Sequence, residues 1–227
     1  MALARRGLAV AFTFRNKAAR ADDVSQDVRA GGVDALPIQC DITQAEDLAS
    51  MVTAIREWGH RLRLLVLNAS GGLERDLVAA DPDYPLRMNR DAQLAVVDAV
   101  LPLLESPATI VFVTSHWAHR YGDVPQLPHY EPVARSKHAG EAALRERSHG
   151  LGARGVRLLV VTGDLVEGTI TARLLERADA GVRQMRERAD AALPTVADMA
   201  DAIVGAALDA RLPTGHTVVV GRSLADL

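Results

Sequence analysis

The chain has 227 residues, 48% hydrophobic and 24% charged, which suits one globular domain with a sizeable core. Its 26 lysines and arginines against 29 aspartates and glutamates leave a net charge of −3, so nothing implies nucleic acid or an anionic membrane as a partner. A single cysteine, Cys40, excludes an internal disulfide and fits a reducing, cytoplasmic setting, and no apolar run is long enough to span a bilayer.

In chain order, Ala2–Arg6 reads as the end of a helix closed by Gly7. The opening MALARRGLAVAF sets two arginines before an apolar run, as a short signal peptide does. That run breaks at Thr13 and Arg15 with no cleavage-like site, so Leu8–Phe14 is read as a strand. Lys17–Ala30 is helical, with Val24 and Val28 four apart, and Gly31-Gly32 ends it. Val33–Cys40 is a second strand, weakened by Pro37. Leu48, Met51, Val52 and Ile55 share one face of a helix over Gln44–Trp58. Leu64–Leu67 is a third strand, followed by a helical region clearest over Asp91–Leu104. Strands follow at Ile110–Val113, Val156–Val161 and Thr217–Val220, and helices at Lys137–Ser148, Thr169–Ala191 and Val196–Leu208. This alternation of strand and helix predicts an α/β fold, a doubly wound and mainly parallel sheet, in a single domain spanning 1–227.

The stretch richest in chemistry is Ile110–Lys137, IVFVTSHWAHRYGDVPQLPHYEPVARSK. An apolar strand ends in Thr114 and Ser115, and a loop marked by Gly122, Pro125 and Pro128 follows. Pro132 then fits the first turn of a helix that carries Lys137. A hydroxyl at the carboxyl end of a parallel strand faces the crevice where open α/β sheets bind ligands. Here the chain resembles the short-chain dehydrogenases/reductases, single-domain Rossmann-like enzymes that move hydride between NAD(P)H and a carbonyl or alcohol.

The resemblance implies roles for particular residues. Ser115 matches the serine that bonds the substrate carbonyl, and Lys137 the lysine that binds the nicotinamide ribose and lowers the pKa of a tyrosine. Asn89 matches the asparagine that helps hold that lysine through water. Asn68-Ala69-Ser70-Gly71 resembles the NNAG motif, with Leu67 in place of the first asparagine. Asp41 and Ile42 match the pair that contacts adenine. Gly163 and Thr169 match the segment that meets the nicotinamide amide and the phosphates, with Thr162 replacing a proline. Arg15 and Asn16 follow the strand whose end contacts the adenosine ribose; an arginine there favours NADP(H), with NAD(H) possible. Each residue also has a bland reading: Asp41, Asn89 and Thr169 as caps, Ser115 as a local hydroxyl, Arg15 and Lys137 as surface charges. A lid over about 169–192 would cover a small-molecule carbonyl or alcohol, and its Arg173, Arg177, Arg183, Arg186 and Arg188 would meet an acidic substrate or plain solvent. The apolar face of Leu94, Val97, Leu101 and Leu104 would build a homodimer or homotetramer, or pack on the sheet.

Two departures stand out. The family pattern YxxxK places a tyrosine at position 133, which is Val133; Tyr130 lies seven residues before Lys137 instead. Either Tyr130 reaches the carbonyl, or His116, His119 or His129 supplies the proton, or the site binds cofactor without turnover as a regulatory or scaffold protein. The family's glycine-rich TGxxxGxG segment and first strand are also absent, and the expectation is a functional protein that starts upstream of Met1.

Overall fold

A computed structural model describes residues 1–178, 182 and 193–224. Its strands are β1 (Val10–Phe14), β2 (Ala35–Gln39), β3 (Leu62–Leu67), β4 (Leu104–Ser115), β5 (Val156–Gly163) and β6 (Thr217–Val220). All their pairings are parallel. Between them lie α1 (Ala18–Ala30), α2 (Ala45–Trp58), α3 (Arg75–Ala80), α4 (Ala92–Val100), α5 (His116–His119), α6 (Glu131–Glu146), α7 (Ser148–Ala153), α8 (Ile170–Ala178) and α9 (Val196–Leu208). The expected α/β architecture is present.

The pattern of side chains explains the layering. Along β4 the residues from Ala108 to Thr114 are all buried, because both faces of the sheet are covered. Ile110 and Phe112 join Leu158 on one face, under α2, α4, α6 and α7. Val111 and Val113 join Leu159 and Val161 on the other, under Met199, Ala206 and Ala207 of α9. Residues i and i+2 of a strand share a face, so the alternation in sequence becomes two cores. Val97 lies in the first core with Leu94, Leu101 and Leu104 packed against it, so this apolar face is used within the chain.

The sheet is in two pieces. One has the order β1-β2 and the other β3-β4-β5-β6. Among the described residues no ladder joins β1 to β3, and each strand pairs along one edge only. Their burial shows it: Thr13 and Arg63 are exposed within β1 and β3, while β4 and β5 are sealed at their centres. The pieces are connected through the helical layer. Ile38 of β2 and Cys40 just after it pack with Leu48, Met51 and Ile55 of α2, which share a core with Val96 and Val100 of α4 and so reach β4.

Two features differ from the pattern read in the sequence. The Ser115–Pro132 connection contains the one-turn helix α5, while the Lys137 helix runs from Glu131 with Pro132 in its first turn, as read. The region before α4 is a helical turn at Tyr84–Leu86 followed by a π-helical turn at Arg87–Asp91. Gly140 of α6 sits against that turn so closely that a Cβ there would lie 2.3 Å from the carbonyl oxygen of Asn89. Of the segment expected to form a lid, α8 is described, with Arg173 and Arg177 exposed; Arg183, Arg186 and Arg188 lie outside the described residues.

Candidate active site

The carboxyl ends of β1, β2, β3, β4 and β5 carry the candidate residues, as a parallel sheet requires. Ser115 ends β4 and caps α5: its Oγ accepts the amide proton of Ala118 at 3.2 Å. Tyr130 is the N-cap residue of α6, one position before Glu131, and its hydroxyl donates to Ser115 Oγ at 3.0 Å. Its ring is buried and stands edge-on to Trp117, 6.5 Å between centroids. Val133, at the position of the family tyrosine, is buried, and its methyl lies 3.0 Å from where a Cβ on Gly72 would be. The structure therefore brings Ser115 and Tyr130 together across 15 residues, and buries Val133 in the apolar cluster with Trp117 and Tyr130.

Lys137 sits two turns further along α6, half-buried, with its ammonium pulled down to about 8 by burial. The Tyr130 hydroxyl is held above its usual value, because burial outweighs the bond to Ser115. The expected lowering by the lysine's charge is thus not what governs this tyrosine.

The three histidines resolve differently. His116 is completely buried, with Nδ1 3.0 Å from Thr162 Oγ1 and Nε2 3.1 Å from the carbonyl oxygen of Arg222. Neither nitrogen faces Ser115. His119 Nδ1 lies 2.8 Å from the buried Glu141 carboxylate, which also accepts from Arg145. His129 is exposed.

Asn89 is an anchor. Its amide nitrogen donates to the carbonyl of Gly71 at 2.8 Å and to Ser136 Oγ at 2.9 Å, and its oxygen accepts from the amide of Gly71 at 3.2 Å. It ties the turn after β3 to α6, the helix of Lys137. Gly71 must be small there, since a Cβ would lie 2.9 Å from the Tyr84 hydroxyl.

A cleft of about 220 Å³ opens where β1, β2 and β3 end, lined by Thr13, Phe14, Arg15, Cys40, Asp41, Ile42, Ala69, Ser70, Glu74, Tyr84 and Met88. Arg15 donates to the Tyr84 hydroxyl at 3.3 Å, with the carboxylates of Asp41 and Glu74 acting on its charge. Asp41 accepts from the amide and hydroxyl of Thr43 at 3.0 and 2.7 Å, bonds to the residue two positions on that order the turn before α2. Asn16 and Asn68 are exposed at the strand ends. Gly163 ends β5 in register with Ser115, and a Cβ on it would meet Met199 Sδ at 2.6 Å. Thr169 caps α8, its Oγ1 accepting from the amide of Ala172 at 3.2 Å. Sequence reasoning missed Tyr84 and Glu74, and read Ser136 only as the neighbour that marks Lys137, not as the partner of Asn89. Tyr84 is one of three tyrosines, but its setting, DPDYP, has no periodicity to mark it.

The family model described as enoyl-(acyl carrier protein) reductase matches residues 1–222. The chain belongs to the short-chain dehydrogenase/reductase family. It is an oxidoreductase of CH–OH and C=O groups that uses a nicotinamide dinucleotide. The dehydrogenase is similar in fold to a short-chain dehydrogenase from Burkholderia cenocepacia in complex with NADP, at 24% identity and TM-score 0.81, covering 98% of this chain and 90% of that one. It is similar to a promiscuous reductase that catalyses keto-reduction at C1 during lugdunomycin biosynthesis, at 22% identity and TM-score 0.79 over 98% and 90%. It is similar to the enoyl-[acyl-carrier-protein] reductase (NADH) from Aquifex aeolicus, at 22% identity and TM-score 0.78 over 100% and 89%. No curated protein matches its sequence.

The cleft fits part of such a dinucleotide. Its volume suits one nucleoside-sized half rather than the whole. Arg15 offers a cation, Ile42 an apolar surface, and Ala69 and Ser70 small side chains that permit close approach.

Proposed function

We propose that this dehydrogenase reduces a ketone with NADPH, with Ser115 and Tyr130 as the groups that hold the carbonyl oxygen. The observation that carries the reading is the hydrogen-bond count at Ser115. Its Oγ accepts from both Tyr130 and Ala118, which uses its two lone pairs and leaves its own proton to donate into the crevice. A ketone oxygen placed there takes one bond from Ser115 and a second when the Tyr130 hydroxyl turns from Ser115 toward it. The cofactor supplies the hydride to the carbonyl carbon. Tyr130 gives its proton to the oxygen as negative charge develops on it; the raised pKa of that hydroxyl keeps the proton in place until then. Lys137, Gly163 and Thr169 face the nicotinamide half, with Asn89 holding the turn at Gly71 and α6 in register. At the other end Arg15 and Asn16 meet a 2′-phosphate, Asp41 and Ile42 the adenine, and Asn68 and Ala69 the adjoining backbone.

A second reading is reduction of a C=C bond conjugated to a carbonyl. The description of the matched family favours it. The same two hydroxyls would then stabilise an enolate oxygen.

Titration of NADPH and NADH, followed by nicotinamide fluorescence, tests the cofactor; tighter NADPH binding that Arg15→Ala abolishes is expected. Turnover with ketones and with an enoyl thioester separates the two readings. Tyr130→Phe is expected to lower turnover by roughly 100-fold or more with cofactor affinity unchanged. Binding without turnover of either class would make this a nucleotide-binding protein that has kept the fold alone.

A further inference from the structure

We propose that His116 is a positioning residue: as the neutral tautomer protonated on Nε2, it straps the C-terminal segment over the ends of β4 and β5 and so fixes the Ser115 hydroxyl. The proposal leans on the reading of Ser115 and Tyr130 as the reacting pair only for its catalytic meaning. The strap itself stands on geometry.

His116 directly follows Ser115, and its side chain is 0% exposed. Its Nε2 faces the carbonyl oxygen of Arg222 at 3.1 Å. A carbonyl only accepts, so Nε2 carries a proton. Nδ1 faces Thr162 Oγ1 at 3.0 Å, and in the neutral ring it accepts from that hydroxyl. Thr162 is itself fully buried and precedes Gly163, the register partner of Ser115. The chain then closes on itself. The guanidinium of Arg222 grips the buried carboxylate of Asp164 through two bonds, at 2.5 and 3.0 Å. Asp164 accepts from its neighbour's amide, and its own amide donates to the carbonyl of Val220. Gly221 makes the bend at φ 98°, where a Cβ would lie 2.8 Å from that of Asp164. Arg120 adds a bond to the carbonyl of Leu224.

The charged and titratable groups around the ring are Asp164, Arg222 and the His119 imidazole. Burial holds the imidazole below its usual pKa, with the Asp164 carboxylate opposing. A second proton, on Nδ1, would reverse the Thr162 hydroxyl from donor to acceptor and place another positive charge beside Arg222. The strap also gives Thr162 its use. A proline there, as in the family segment, would offer no hydroxyl to the ring.

The test uses the whole chain. Long-range ¹⁵N spectra of histidine-labelled protein at pH 6.5 are expected to show one ring as neutral and Nε2-protonated, a signal absent from His116→Gln. Hydrogen exchange at the Ala118 amide, whose acceptor is Ser115 Oγ, reports the serine's position; the amide of Leu159 in β5 reports the core. In His116→Gln the side-chain amide nitrogen still reaches the Arg222 carbonyl, and Ala118 protection should stay within about threefold. In His116→Phe it should fall by about tenfold or more with Leu159 unchanged. A protonated ring or the Nδ1–H tautomer in the native protein would overturn the proposal, even where a variant does not fold. So would equal losses at Ala118 and Leu159, or none at Ala118. Failure of the native protein to turn over any carbonyl would sink the functional reading and leave these spectra to decide the strap.

Discussion

A methyl group at Gly140 would have nowhere to go, because the carbonyl of Asn89 fills the space 2.3 Å away. Gly140→Ala is therefore expected to destabilise the fold by about 2–3 kcal/mol, read as a lower urea midpoint at unchanged slope. Lys137 gives the opposite kind of test. Its ammonium titrates at about 8 in the native state and near 10.5 when unfolded. Between those values the unfolded chain holds the proton and the native chain does not, so this residue makes stability rise with pH, by at most about 1.4 kcal/mol per unit. Urea denaturation at pH 7.5, 8.5 and 9.5 should show that rise relative to Lys137→Met, in which it is missing. Cys40, pushed up to about 11, titrates in both proteins and cancels in the comparison. Tyr130 was legible as a candidate because it lies seven residues before Lys137 in YEPVARSK; its bond to Ser115 was not, since no pattern shows how a loop folds back.

Among the elements, the π-helical turn at Arg87–Asp91 shapes the site most. It carries Asn89 into the space between the Gly71 turn and α6, where three hydrogen bonds hold it. Asn89→Ala strands buried groups on both sides and should cost about 2–4 kcal/mol, with faster exchange at the Gly71 amide. The regular elements were readable because apolar periodicity marks them: the helix at Val196–Leu208 and the strand at Thr217–Val220 have the ends read from the sequence. The π turn, α5 and the Arg222 strap were not readable. They depend on contacts between residues as far apart as 106 positions, and on side-chain bonds that leave no repeat.

For the whole molecule the division of the sheet matters most. Among the described residues, the facing edges of β1 and β3 carry amides that pair with no strand. In the 227-residue chain, exchange in β1 is expected to be faster than in β4 and β5, with the β1-β2 pair parting from the helical layer before global unfolding. Cys40, buried just beyond β2, reports that opening: alkylation should be slow, yet faster than unfolding permits. The two pieces also share the walls of one cleft, Phe14 and Arg15 from the first and Ala69 and Ser70 from the second, with the Arg15–Tyr84 bond between them. Affinity and cohesion are then one equilibrium. A dinucleotide seated across those walls, as proposed, would be mortar as well as reagent, and each tenfold excess over its Kd would add about 1.4 kcal/mol to the work of pulling the sheet apart. The melting temperature of this protein becomes a gauge of how much cofactor surrounds it.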